Sequence, residues 1–318
     1  MRRQGQRGAA ILMAMLIVVL VATLAASTLW QQWRGVEIEA AERGRVQSAW
    51  ALTGALDWAR LLLREDGRKG GADHLAEPWA LPLEQARMST FLAADRSDAL
   101  AADEAQDAFL SGQMLDLQAR LNVSNLVQGG KVDEPSRLAF RRLFELLNLP
   151  VSQLDQMVEA LRQMHAGASD NSGMALPLWP QEPDQLTWLG LSKATVVTLH
   201  PFITILPVPT PVNLNTASAE VIYACVEGFE MADASRFVRE RAVSHLVVLT
   251  DAAKLAGRPS TAFNDKQHAV STRFFEVHGN LQVDQTVVQE RSIVQRDGME
   301  VKTLSRQRGV LPPDTPLQ

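Results

Sequence analysis

From Ala9 to Gln32 the chain carries no charged residue, and Ala9 to Leu29 is almost wholly apolar. As a helix, that run of about 21 residues is roughly 30 Å long, the thickness of a bilayer's hydrocarbon core. Arg2, Arg3 and Arg7 precede it without an acid, and mixed charge follows from Arg34. The excess of arginine before the run predicts a cytoplasmic N-terminus and an exported C-terminal body, with one pass through the membrane. Beyond Trp30 the pattern changes. Ala49, Leu52, Leu56, Ala59 and Leu63 recur at spacings of three and four, which gives a helix one apolar face. Proline is absent from Ala9 to Arg64, while Gly35 and Gly44 are the places for a bend. The pattern predicts a transmembrane part over 9–29 and an amphipathic half over 30–65 that packs on a globular body.

Asp66-Gly67-Arg68-Lys69-Gly70-Gly71 ends the helix. From Leu115 the period is two: Leu117, Ala119, Leu121 and Val123 alternate with Asp116, Gln118, Arg120 and Asn122. This predicts a strand within Gly112 to Val127. Asp133 to Met164 then reads as helical. Asp133 is placed to cap, Pro135 suits the first turn, and Leu138, Phe140, Leu143, Phe144, Leu146 and Leu147 supply an apolar face. Pro150 breaks this helix and Ser152 opens a second. His165 to Asp184 is rich in Gly, Ser, Pro and Asp and predicts a long loop. Thr216 or Asn215 caps a helix over Ala217 to Glu227, Gly228 turns, and Asp233 to Arg241 forms its partner. A short helix over Asp251 to Leu255 follows. After Ser271 the period returns to two, and Gly279-Asn280 and Asp297-Gly298 separate β segments, the second pair being a strong hairpin signal.

These elements predict an α+β chain. An antiparallel sheet draws on 66–125 and 266–318, and 126–265 is a helical domain inserted between them. A separate C-terminal β-domain is the other arrangement the spacing allows.

Composition narrows the function classes. With 318 residues, 46% hydrophobic and 21% charged, the chain is globular, with length for about two domains beyond the helix. A net charge of −5 argues against a nucleic-acid partner. Cys225 stands alone, so packing rather than an internal disulfide holds the body; its neighbour Ile222 marks it as a buried small hydrophobe. The six histidines are scattered and form no HExxH pair. No catalytic constellation is present, so no enzyme is expected.

Three fates are open to the apolar segment. A secretory signal would be cut near Ala22 to Ser27, and an ordinary anchor would stay uncut. In the third, the short basic leader 1–8 is removed and the whole helix stays. The last arrangement resembles the type IV prepilin class, in which a prepilin peptidase cuts after glycine and methylates the new terminus. The resemblance places the cut between Gly8 and Ala9. Most pilins then carry glutamate at mature position five, where this chain has Met13. That departure resembles the K-type minor pseudopilins of type II secretion. So do Leu115 to Leu126, with its Arg-Leu-Asn-Val-Ser-Asn-Leu, then Val212-Asn213-Leu214-Asn215-Thr216-Ala217, and Ser271 to Val277.

The resemblance implies a pilin-like fold: a long N-terminal helix on an antiparallel sheet, interrupted by a large all-helical domain. It implies a minor pseudopilin at the tip of the pseudopilus, anchored in the inner membrane with its body in the periplasm. Such a subunit helps initiate and cap assembly for export of folded proteins across the outer membrane. The partners implied are pseudopilins H, I and J, the major pseudopilin G and the prepilin peptidase. A calcium site is implied near 166–184, where Asp170, Asn171 and Asp184 are available beside Glu182. Those carboxylates are few for an ion that takes six to eight oxygens, so no cofactor is expected to be required. The alternative is a membrane-tethered DNA-binding or uptake protein, because 213–241 has the outline of a helix-hairpin-helix. Its hairpin reads Gly228-Phe229-Glu230 among Glu220, Glu227 and Glu240, a poor surface for phosphate.

Overall fold

The computed structural model describes residues 7–87, 108–169, 178–283 and 286–309. It comprises two units, Met1–Gly54 and Ala55–Gln318. Helix α1 (Arg7–Lys69) supplies the first unit and opens the second. From Ala9 to Leu29 its side chains are bare, and among the described residues it is the one helix long and apolar enough to cross a membrane. Thr23, Ser27 and Thr28 donate their hydroxyls to the carbonyls of Leu20, Leu24 and Ala25 at 2.9, 2.8 and 2.9 Å. The polar groups of the run are therefore satisfied within the helix, as lipid requires.

In the second unit α1 lies on an antiparallel sheet. Its strands, in spatial order, are β1 (Leu83–Arg87), β2 (Ala108–Asp116), β3 (Phe274–Val283), β4 (Thr286–Asp297) and β5 (Glu300–Gly309). Leu56, Ala59 and Leu63, at the predicted helical spacing, pack with Trp79, Met114, Phe275, Val277, Val294 and Val301. Arg60 ties the helix to β5 by donating to the Val301 carbonyl at 2.8 and 3.2 Å. Near its end α1 meets the β4–β5 turn: a Cβ on Gly67 would run into the Gly298 carbonyl. Gly298 itself has φ 60°, the left-handed conformation that this two-residue turn requires.

The remaining helices share a second core. They are α2 (Glu134–Leu146), α3 (Val151–Ser169), α4 (Lys193–Leu199), α5 (Ala219–Cys225), α6 (Met231–Val243) and α7 (Leu249–Ala256). Phe140, Leu143, Phe144, Leu154, Leu161, Leu199, Ile222 and Phe237 form its interior. Asp133 caps α2 as its position predicts, accepting from the Ser136 amide at 3.0 Å. The chain leaves the sheet at Asp116 and returns at Phe274, further out on both sides than the 126–265 expected. The two points are neighbours, since Asp116 pairs with Phe275.

Several predicted elements differ. The strand expected through Val127 stops at Asp116 and gives way to 3-10 turns at Leu117–Ala119 and Val123–Asn125. Asp116 and Asn122 each accept from the amide two residues on, at 2.7 and 3.1 Å, which bends the backbone out of the ladder. α5 starts at Ala219 under a Ser218 cap, because the side chains of Asn215 and Thr216 are engaged elsewhere. It ends at Cys225 rather than Glu227, while α6 and α7 extend past both predicted ends. β3 runs straight through Gly279-Asn280. There Gly279 faces Gly112 of β2, so the pair marks a close backbone approach instead of a turn. The loop predicted over His165 to Asp184 begins later, since α3 extends to Ser169, and Pro183–Leu189 closes it as a 3-10 helix.

Candidate functional site

The two asparagine-bearing motifs meet in one buried polar seam, where the sheet gives way to the helical block. Asp116, at the end of β2, is its centre. One carboxylate oxygen accepts from the Gln118 amide at 2.7 Å. The other accepts from Asn213 Nδ2 at 2.8 Å and Thr216 Oγ1 at 2.6 Å. Burial pushes the Asp116 carboxyl up, and the Thr216 and Asn213 hydrogen bonds only partly offset it. Asn213 also donates to the Asp73 carbonyl at 3.2 Å and accepts from the Asn215 amide at 3.0 Å. Asn215 holds the Leu246 backbone from both sides, at 2.9 and 2.8 Å. Arg241 of α6 is buried and donates to the Leu214 and Ala217 carbonyls; burial lowers its pKa to about 10.

The first motif works in the same way. Asn122 accepts from the amides of Ser124 and Leu206, both at 3.1 Å. It donates to the Val208 carbonyl at 2.8 Å and the Thr210 hydroxyl at 3.1 Å. Asn125 pairs with the Thr210 backbone at 2.7 and 2.9 Å, and Gln118 reaches the Pro211 carbonyl and the Arg273 amide. These amides are joints between backbone segments. They act as the side-chain-to-backbone residues their positions predict, since a buried amide left unpaired costs about 1–3 kcal/mol.

Two charged clusters flank the seam. Arg296 of β4 bridges Asp66 at the end of α1 and Asp73, the latter at 2.6 Å. Asp73 also accepts from the Thr272 amide at 2.7 Å. Burial outweighs the Arg296 charge and raises Asp73 to about 6. Glu276, 2% exposed on the opposite face of β3, is met by Arg291, by His278 at 3.3 Å and by Arg120 at 3.9 Å. Burial alone would raise it; the His278 hydrogen bond and the Arg291 and Arg120 charges win and hold it at about 2.

The sequence-predicted site residues are not brought together. Gly8 and Ala9 fall in the first turn of α1, and Met13 lies on its apolar run, 68% exposed. Asp170 and Asn171 lie outside the described residues. Asp184 is exposed in the Pro183–Leu189 turn, and the neighbouring Glu182 is hydrogen-bonded to Gln307. Asp66, Asp73 and Glu77 do bring ligand oxygens within 4.8 Å of one another, but Arg296 already occupies two of the three.

In the helix-hairpin-helix outline three carbonyls and two amides of the hairpin are engaged within the chain. Phe229 and Glu230 donate their amides to the Val226 carbonyl and to Asp233. Arg142 takes the Val226 and Phe229 carbonyls at 2.5 and 2.6 Å, and Arg258 the Gly228 carbonyl at 2.8 Å. Sequence reasoning missed Asp73, Arg241 and Arg296. Glu276 carried a signal, an acid inside Phe-Phe-Glu-Val.

Comparison with known proteins follows the same seam. Two family models, each described as type II secretion system (T2SS) protein K, match residues 119–208 and 212–271. A type II secretion system protein K of Pseudomonas aeruginosa is 28% identical over 327 residues, covering 96% of this chain and 90% of its own length. Its counterpart in Pectobacterium carotovorum is 24% identical, over 96% and 98%. A chain in the crystal structure of the GspK–GspI–GspJ complex from enterotoxigenic Escherichia coli superposes with a TM-score of 0.59. The match has 15% identity and covers 85% of this chain and 98% of that one; it shows a shared α+β pilin-like fold. The apolar helix, the sheet, the seam and these matches agree: the chain is similar to protein K of type II secretion systems, the K-type minor pseudopilins.

Proposed function

We propose that this minor pseudopilin forms the tip of the type II secretion pseudopilus, where it helps initiate and cap assembly. The carrying observation is the uncharged stretch Ala9 to Gln32, with Met13 at the fifth place after Gly8. A buried glutamate there would demand a cationic partner in lipid or in a packed helical core. A subunit with methionine makes no such demand, so it needs no neighbour above it. The helical block adds bulk to the pilin-like body that a further subunit would have to accommodate. On this reading a prepilin peptidase cuts between Gly8 and Ala9 and leaves α1 in the inner membrane, N-terminus cytoplasmic and body periplasmic. The complex named for the solved relative makes pseudopilins I and J the proposed neighbours. Pseudopilins H and G follow from the family resemblance alone.

The test is the mass of the N-terminal peptide of the full chain recovered from its native membrane. A start at Ala9, with or without one methyl, is expected. A start at Met1 gives a plain membrane anchor and a start near Ser27 a secreted protein; both overturn the proposal.

A further inference from the structure

We propose that Trp30, Trp33 and Arg34 form a phospholipid-headgroup anchor that sets how deep α1 sits in the bilayer. The inference rests on the membrane reading of the apolar run. Ala9 to Leu29 matches the hydrocarbon thickness, so its far end meets the headgroups where Trp30 begins. Within the run the Thr23, Ser27 and Thr28 hydroxyls are bonded to the helix's own carbonyls, and nothing there asks for water. Trp30 and Trp33 are 58% and 59% exposed, and a spacing of three puts both indoles on one side of the helix. An exposed indole has an apolar body and one N–H donor, which suits the boundary between acyl chains and phosphates.

Arg34 adds the charge. Its guanidinium lies over the Trp30 ring, 5.4 Å from the centroid, so the cation is held beside the indole. The next two arginines are already paired, Arg43 with Glu39 and Arg45 with Glu42. Among the described residues no carboxylate forms an ion pair with Arg34. A cation stacked on an interfacial indole, and lacking a carboxylate, is matched by a lipid phosphate.

The test uses the full chain with Cys225→Ala and single cysteines placed in turn from Ala26 to Ile38. Each is reconstituted into sealed vesicles of phosphatidylethanolamine with phosphatidylglycerol and treated with a membrane-impermeant maleimide. Protection through Leu29 and labelling beyond Arg34 are expected. In the Trp30→Ala, Trp33→Ala background the boundary should move by about one helical turn, and tyrosine at both positions should restore it. Arg34→Gln should move it in the same direction by less. An unmoved boundary in the double variant overturns the anchor while leaving the membrane reading intact, and means the indoles serve a protein partner instead. Labelling throughout 26–38 in the parent overturns the membrane reading itself.

Discussion

Replacing Thr216 by valine removes one hydroxyl and keeps the side chain's shape. In the folded chain that hydroxyl donates to Asp116 at 2.6 Å, and Asp116 is buried. A hydrogen bond to a charged group contributes about 1.5–3 kcal/mol. The same oxygen keeps its Asn213 donor at 2.8 Å, so we expect Thr216→Val to cost about 2 kcal/mol near neutral pH.

The pH dependence has a definite sign. The folded-state pKa of Asp116 lies above its ordinary value. The folded chain therefore binds the proton more tightly than the unfolded one, and this contribution is lost as pH rises through the folded pKa. Removing the Thr216 donor raises that pKa further. The deficit of the variant relative to the parent thus grows as pH rises through that pKa and shrinks on acidification. Urea unfolding of the detergent-solubilised full chain, at neutral pH and again at about pH 5, measures both terms. A loss below about 0.5 kcal/mol at neutral pH, or one that grows at acid pH, refutes the picture of a carboxylate held by this hydroxyl. Combining the change with Asn213→Ala in a double-mutant cycle reports how far the two donors act together.

Glu276→Gln should lower stability by about 3 kcal/mol at neutral pH, the linkage value of a pKa held at about 2 instead of 4.5. That stability is present above the ordinary glutamate pKa and is lost as pH falls toward 2, so melts of the variant should lack this acid limb; an unchanged melting temperature at neutral pH contradicts the ion cluster. Gly67→Ala forces a methyl against the Gly298 carbonyl and should destabilise by about 1–3 kcal/mol. Amide exchange in the β4–β5 turn should quicken with it; parent-like protection shows that the contact is slack. Met13→Glu should impair pseudopilus-dependent secretion when the variant replaces the parent. Secretion at the parent level means the missing acid does not set the subunit's place.

What the sequence made legible was local chemistry. The uncharged run, the Leu56–Ala59–Leu63 face, the Asp133 cap and the Asp297-Gly298 turn each follow from residues close together, and the structure has all of them. The role of the motif asparagines was legible as well, because asparagine binds nearby backbone wherever a ladder ends. What failed was alternation as a sign of burial. Along Asp116 to Ser124 both faces are covered, so polar residues are buried beside apolar ones and the period of two no longer separates core from solvent. The helix start at Ala219 was misplaced for a related reason, since the better capping residues had been drawn to distant partners. The Arg296–Asp73 bridge joins positions 223 residues apart. No local pattern announces such a pair, and Asp73 sits in a glycine-flanked stretch that reads as a loop.

The adjacency of β2 and β3 sets the order in which this body can form. Asp116 and Phe275 pair across the ladder, yet roughly 160 residues of chain run between them; closing so long a flexible loop costs about 3 kcal/mol more than closing a four-residue turn. A helical block that collapses first brings its two ends together and removes most of that penalty, which makes a strongly non-local pairing wait on a largely local collapse. A chain delivered N-terminus first therefore presents the Leu56–Ala59–Leu63 face well before Phe275, Val277, Val294 and Val301 exist to cover it. Substitutions that slow collapse of the block should prolong that interval, and their first symptom should be aggregation or proteolysis of newly made chains rather than a weaker final structure.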